Sequence, residues 1–192
     1  MVLHGGSWGS YWSDLIAHAA PERFKGVVVH GAPVDHSFAA SHIEEVVKAG
    51  EYFFDWIPAL MDAYDGVTTR AQLKAKFPEL SLKKLGYLDK PTPPMLVLNG
   101  AKDSLFPIDD LFLLLNSGTA KDAWVNPKGI HMGREAGVWE NARIADEVVT
   151  PWVLRHLGMP PLPAAQPVSA RKWPIRSDVV FSKIASFQKS LR

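Results

Sequence analysis

The chain has no cysteine among its 192 residues. That excludes disulfides, a thiolate metal site and a cysteine nucleophile. It suits a reducing compartment, and a cytoplasmic location is expected. No apolar run reaches about 18 residues, so no membrane-spanning helix is expected. Met1 to Ser10 lacks the basic-then-apolar pattern of a secretory leader. No His-x-x-x-His pair occurs, and Gly5, Gly6 and Gly9 have neither the Lys-Ser/Thr of a P-loop nor dinucleotide-loop spacing. Hence no metal and no cofactor are expected. Internal repeats are absent too.

Charged residues are near average in number, with a net of +1 that is unevenly placed. From Pro160 onward, Arg171, Lys172, Arg176, Lys183, Lys189 and Arg192 face Asp178 alone, a local +5 that leaves −4 elsewhere. Such a patch could meet nucleic acid, but the aromatic interleaving of single-strand binders is missing. A solvated tail is the expectation, with no nucleic-acid and no membrane partner.

What the sequence does contain begins at its fifth residue. Gly5-Gly6-Ser7-Trp8-Gly9 spells G-x-S-x-G, the pattern of a nucleophile elbow, a tight strand-to-helix turn that holds a serine hydroxyl clear of the surface. Val2 to His4 can end a strand, and Ser10 to Ala20 reads as a helix stopped by Pro21. A serine needs a base, and the base needs an orienting acid. Pro94 to Gly100 reads as a buried parallel strand, and Asp103 follows its carboxyl end. Ala123 to Pro127 is a second short strand, with His131 in the loop beyond it. Ser7, Asp103, His131 is the chain order of the α/β-hydrolase triad. The expected roles are nucleophile for Ser7, general base for His131 and orienting acid for Asp103, with the Trp8 N–H as an oxyanion donor. Asp35, after the Val27–His30 strand, is the rival acid, while Asp109 and Asp110 read as residues serving a helix start. His18 and His156 read as helix-surface residues, and His30, His36 and His42 fall near the sheet edge or in the insertion.

These segments, with Pro21 to Gly31 and Asn126 to Arg134, resemble the carboxyl-terminal two-thirds of an α/β-hydrolase over roughly residues 1–157. They are most similar to the esterase-like hydrolases grouped with FrsA, a family that also holds carbon–carbon bond hydrolases of aromatic ketones and polyketides. Members commonly have a second glycine where this chain has Ser10. The resemblance implies about four strands ahead of the elbow and a loop giving the second oxyanion donor, both expected to be missing here. The Val2–His4 strand would then be an open edge, suited to self-association or to a complementing chain.

The expected architecture is therefore α/β: a partial α/β-hydrolase fold, a parallel sheet with flanking helices and a helical cap. Residues 1–33 and 91–158 form the core, with Ile144 to Leu157 as a closing helix interrupted by Pro151. Residues 34–90 form the cap, too long for an ordinary loop. Ser41 to Glu44 reads as a capping box opening one helix there, and Thr69 to Phe77 as another. Between them, Glu51 to Asp65 carries a dense aromatic and aliphatic cluster that either packs the cap or lines a pocket. Phe54 and Trp56 from that cluster, and Met132 beside His131, are the candidate substrate-binding residues. Residues 159–192 read as a proline-rich linker and a basic amphipathic helix, with Val180, Ile184, Phe187 and Leu191 on one side. The expected activity is hydrolysis of an ester, or of a carbon–carbon bond beside a carbonyl, in a small apolar or aromatic substrate. The alternative is an inactive hydrolase fragment kept for binding.

Overall fold

The computed structural model describes residues 1–50 and 56–162. Four parallel strands stand in sequence order: β1 (Val2–Gly6), β2 (Gly26–His30), β3 (Met95–Gly100) and β4 (Asp122–Asn126). Every residue of β2 and β3 is buried, which is why both read as continuous apolar runs rather than alternating ones.

Alternation instead sorts side chains between the two faces. Val27, Val29, Met95 and Val97 meet Tyr11 and Ala17 of α1 (Trp8–Ala19), and Leu111 and Leu114 of α5 (Ile108–Leu115). Val28, Leu96 and Leu98 pack against Ile144, Val149 and Trp152 on the other face. At about 1.5–3 kcal/mol per fully buried aliphatic side chain, these two layers dominate what holds the sheet together. Gly26 has no side chain because Trp152 lies against it; a Cβ there would come within 2.8 Å of the indole.

The closing helix is built differently from its expectation. It runs as α6 (Asn141–Ile144), a π-helical turn over Ala145–Val149, and α7 (Thr150–Leu157). Pro151 lies inside this continuous helical run, where it has no N–H to give the preceding turn and its ring needs room, and the widened turn ahead of it replaces a break.

The insertion carries α2 (His42–Ala49), α3 (Trp56–Asp62) and α4 (Arg70–Lys76). Its Val67, Leu73, Phe77 and Leu82 are buried in the same core as α1 and β2. Ser41 makes no capping bond and has helical dihedrals. The capping box lies instead at Thr69 and Gln72, each bonding the other's backbone N–H. Residues 51–55, including Tyr52, Phe53 and Phe54, lie outside the described residues, as does the predicted helix over 178–191.

Candidate active site

Ser7 occupies the turn between β1 and α1 at φ 54°, a left-handed backbone rarely adopted by a residue with a side chain. Several contacts impose it. The Ser7 N–H donates to the His30 carbonyl at 2.9 Å. Ser10, where a glycine was the family expectation, ties β1 to β2. Its hydroxyl oxygen accepts the His30 N–H at 2.9 Å and lies 2.8 Å from the carbonyls of Gly5 and His30. Gly5 is required by close approach, since a Cβ there would sit 2.2 Å from the Gly9 carbonyl oxygen.

The loop after β4 lies directly on the end of β3. A Cβ at Gly100 would meet the Gly129 and Ile130 carbonyls at 2.2 Å, so only glycine lets the loop settle there. That contact delivers His131 to the elbow. Its Nε2 lies 2.9 Å from Ser7 Oγ, and its Nδ1 lies 2.8 Å from Asp103 Oδ2. An ionised carboxylate can only accept, so the ring proton resides on Nδ1 and Nε2 accepts from the serine hydroxyl. His131 and Asp103 are both buried. The other Asp103 oxygen accepts the Leu105 and Phe106 N–H groups at 2.9 and 3.1 Å, which fixes the carboxylate plane. Phe106 stands edge-on to the imidazole with centroids 5.1 Å apart.

The structure thus brings Ser7, His131 and Asp103 into one hydrogen-bonded series. Asp35 lies elsewhere, bonded to the Ser81 hydroxyl and 3.8 Å from Lys83. Asp110 lies in the first turn of α5, as expected, but does more than serve the helix start. It is fully buried and accepts the N–H groups of Val34, Asp35, His36 and Ser37 together with the Ser37 hydroxyl. His18 is likewise buried rather than on the helix surface, paired with buried Asp14 at 3.4 Å. Burial pushes the Asp14 carboxyl upward, with His18 pulling the other way.

Trp8 begins α1, where helix geometry gives its N–H no carbonyl four residues back. Its ring packs among Tyr11, Phe38, Phe77 and Phe106. Trp8 also lines a mostly apolar cleft of about 450 Å³ with Trp12, Trp56, Leu60, Tyr64 and Leu80. Trp56 is thus placed in a wall of that cleft, and Phe54 lies outside the described residues. Met132 is not among the residues lining that cleft; it lines a separate cavity of about 320 Å³ with His4, Gly6 and His30. Its backbone is the more informative part. Met132 has φ 62°, its N–H donates to Asn99 Oδ1 at 3.0 Å, and its carbonyl lies 2.7 Å from His30 Nε2. Burial holds His30 down at about 4, so at neutral pH it is uncharged and donates from Nε2.

Ser10, His30 and Asn99 are the supporting residues that sequence reasoning missed. Ser10 stands out in the sequence only as a departure from glycine, and His30 and Asn99 fall in segments that carry the resemblance without any pattern that assigns them a role. Among the described residues, no three His, Cys, Asp or Glu side chains converge to hold a metal ion. Nor is any helix among them long and apolar enough to cross a membrane.

No protein-family model and no curated protein matches the chain. Solved structures do. AbyA5 aligns with TM-score 0.59 and 19% identity, over 84% of this chain and 43% of its own. The 2,6-dihydroxy-pseudo-oxynicotine hydrolase gives 0.58 and 16%, over 81% and 40%. Acetyl xylan esterase 1 from Thermoanaerobacterium sp. JW/SL YS485 gives 0.54 and 17%, over 81% and 45%. The chain therefore has a partial α/β-hydrolase fold, and it spans less than half the length of these three structures.

Proposed function

We propose that this chain carries the catalytic machinery of a serine hydrolase that cleaves a carboxylic ester through an acyl-enzyme. The observation that supports it is the continuous series from Ser7 Oγ through both nitrogens of His131 to Asp103 Oδ2. In this reading His131 takes the Ser7 proton as the oxygen attacks the carbonyl carbon. Asp103 stabilises the resulting imidazolium and holds its tautomer. The oxyanion develops beside the Trp8 N–H, and His131 then protonates the departing alkoxide. A water activated by the same imidazole releases the acid and restores Ser7. Cleavage of a carbon–carbon bond beside a carbonyl, as the FrsA-like resemblance implies, would use the same groups.

The substrate side favours an apolar or aromatic group. The cleft against the Trp8 indole is walled by aromatic and aliphatic side chains, and its volume suits a small organic molecule.

The sheet edge bears on activity as well. Among the described residues β1 pairs only with β2, and its other side has no strand. The second oxyanion donor expected from the resemblance would come from beyond that side. Covering the edge, by a complementing chain or a second copy, is therefore part of the proposal; losing one such donor typically costs about 10²–10³ in rate.

A fluorophosphonate probe tests the nucleophile. The folded protein is expected to take up one label, and Ser7→Ala none; equal labelling of both proteins would rule out Ser7.

A further inference from the structure

The sheet rim holds two buried asparagines, Asn99 near the end of β3 and Asn126 at the end of β4. They look interchangeable by position and burial. Their partners are not.

Asn99 uses its whole amide. Nδ2 donates to Asp103 Oδ2 at 2.9 Å and to the Phe106 carbonyl at 3.0 Å, while Oδ1 accepts the Met132 N–H at 3.0 Å. Chemistry fixes this orientation: a flipped amide would set oxygen against a carboxylate and a carbonyl, and NH₂ against an N–H. Asp103 Oδ2 is also the oxygen that receives His131 Nδ1–H. Asn99 therefore shares one oxygen with the imidazole and holds the backbone of the residue following it. Asn126 donates to the Gly133 carbonyl and Glu135 Oε2, and accepts the Lys128 N–H. It shapes the far end of the same loop and touches none of Ser7, His131 or Asp103.

We propose that Asn99 is a positioning residue that sets both the place of His131 and its basicity. The inference rests on the Ser7–His131–Asp103 reading and deepens it. An N–H donated to Asp103 Oδ2 draws off part of the negative charge that would otherwise stabilise imidazolium. Removing the Asn99 bond would leave that charge to the imidazole and favour its protonated form. The other titratable or charged groups around the ring and its loop are His30 of β2, Lys128, Glu135, which accepts from Asn126, and Arg134, whose Nε donates to the His131 carbonyl at 3.0 Å. None has a hydrogen bond to Asp103 Oδ2.

The test is an NMR titration of His131 in the full chain, alongside fluorophosphonate labelling. In Asn99→Ala the imidazole midpoint is expected to rise by about one pH unit, the scale of one lost charge-assisted hydrogen bond. The acid limb of the labelling rate should move with it. In Asn126→Ala the midpoint should stay in place while thermal stability falls, which separates positioning from mere loop support. Wild-type protein gives a check that needs no variant to fold: the Asn99 side-chain amide signal should shift as His131 titrates. A flat amide signal through that titration, or an unmoved midpoint in Asn99→Ala, would overturn the proposal. If labelling does not depend on Ser7, the serine reading fails; if it does while His131 is indifferent to Asn99, only the present inference fails.

Discussion

Asp103 and Asp110 are both buried, and both hold a loop by accepting backbone N–H groups. They differ in what remains. Asp103 gives one oxygen to the backbone and keeps the other for Asn99 and His131. Asp110 commits both oxygens to residues 34–37, where the chain leaves β2 for the insertion. A buried carboxylate is costly unless its hydrogen bonds are made, and the two meet that cost in different ways. The first leaves a charge facing an imidazole, which is useful to chemistry. The second is saturated by scaffold.

That contrast can be broken by substitution. In Asp103→Asn the side chain can turn its amide toward Nδ1 and trap the wrong tautomer. Turnover is then expected to fall by about 10⁴, with stability lower by about 1–3 kcal/mol because the new NH₂ also faces the Asn99 donor. Steady-state rates set beside a melting curve check it, and a fall under tenfold would place Asp103 with Asp110. In Asp110→Asn the NH₂ must confront backbone N–H donors, so unfolding free energy should drop by about 3–5 kcal/mol. Labelling per folded molecule should hold near wild type. Chemical denaturation with folded-fraction correction reads both, and a specific loss of labelling would put Asp110 into the chemistry.

The smallest effect sharpens the comparison, because His30 behaves like Asp110 and gives its donor to backbone. Its pKa is held at about 4 in the fold, against 6.5 for an ordinary histidine. Between those values the unfolded chain binds more protons, so stability is present above pH 6.5 and is lost as pH falls toward 4. The shift corresponds to about 3 kcal/mol at most. Denaturation at several pH values should show that slope in wild type, and a shallower one in His30→Gln.

Much of this was legible beforehand. Ser7, Asp103 and His131 each follow a strand, and strand ends of a parallel sheet gather on one rim whatever the loops between them do. The supporting contacts were not legible, because they join residues without local signal. Asp110 meets Val34 across 76 positions, and His30 meets Met132 across 102. Neither periodicity nor turn chemistry reaches that far. His18 was misread because its helical neighbours are mixed in polarity; its burial is set by what packs over α1, not by its own sequence. Ser41 had capping-box spacing but helical dihedrals, so its side chain could not reach around the helix start. The widened turn before Pro151 reflects a choice between a kink and an extra backbone residue, and composition does not distinguish them.

Trp8 has one further consequence. The same residue carries its amide next to Ser7 and its indole in a wall of the apolar cleft. Bulk that displaces the ring drags the amide along, since both hang from one Cα. Under the proposed ester hydrolysis, selectivity for the guest and speed of the acyl step would therefore be mechanically geared, and reshaping the cleft for a larger molecule would detune the reaction unless Phe38, Phe77 and Phe106 keep the ring in place.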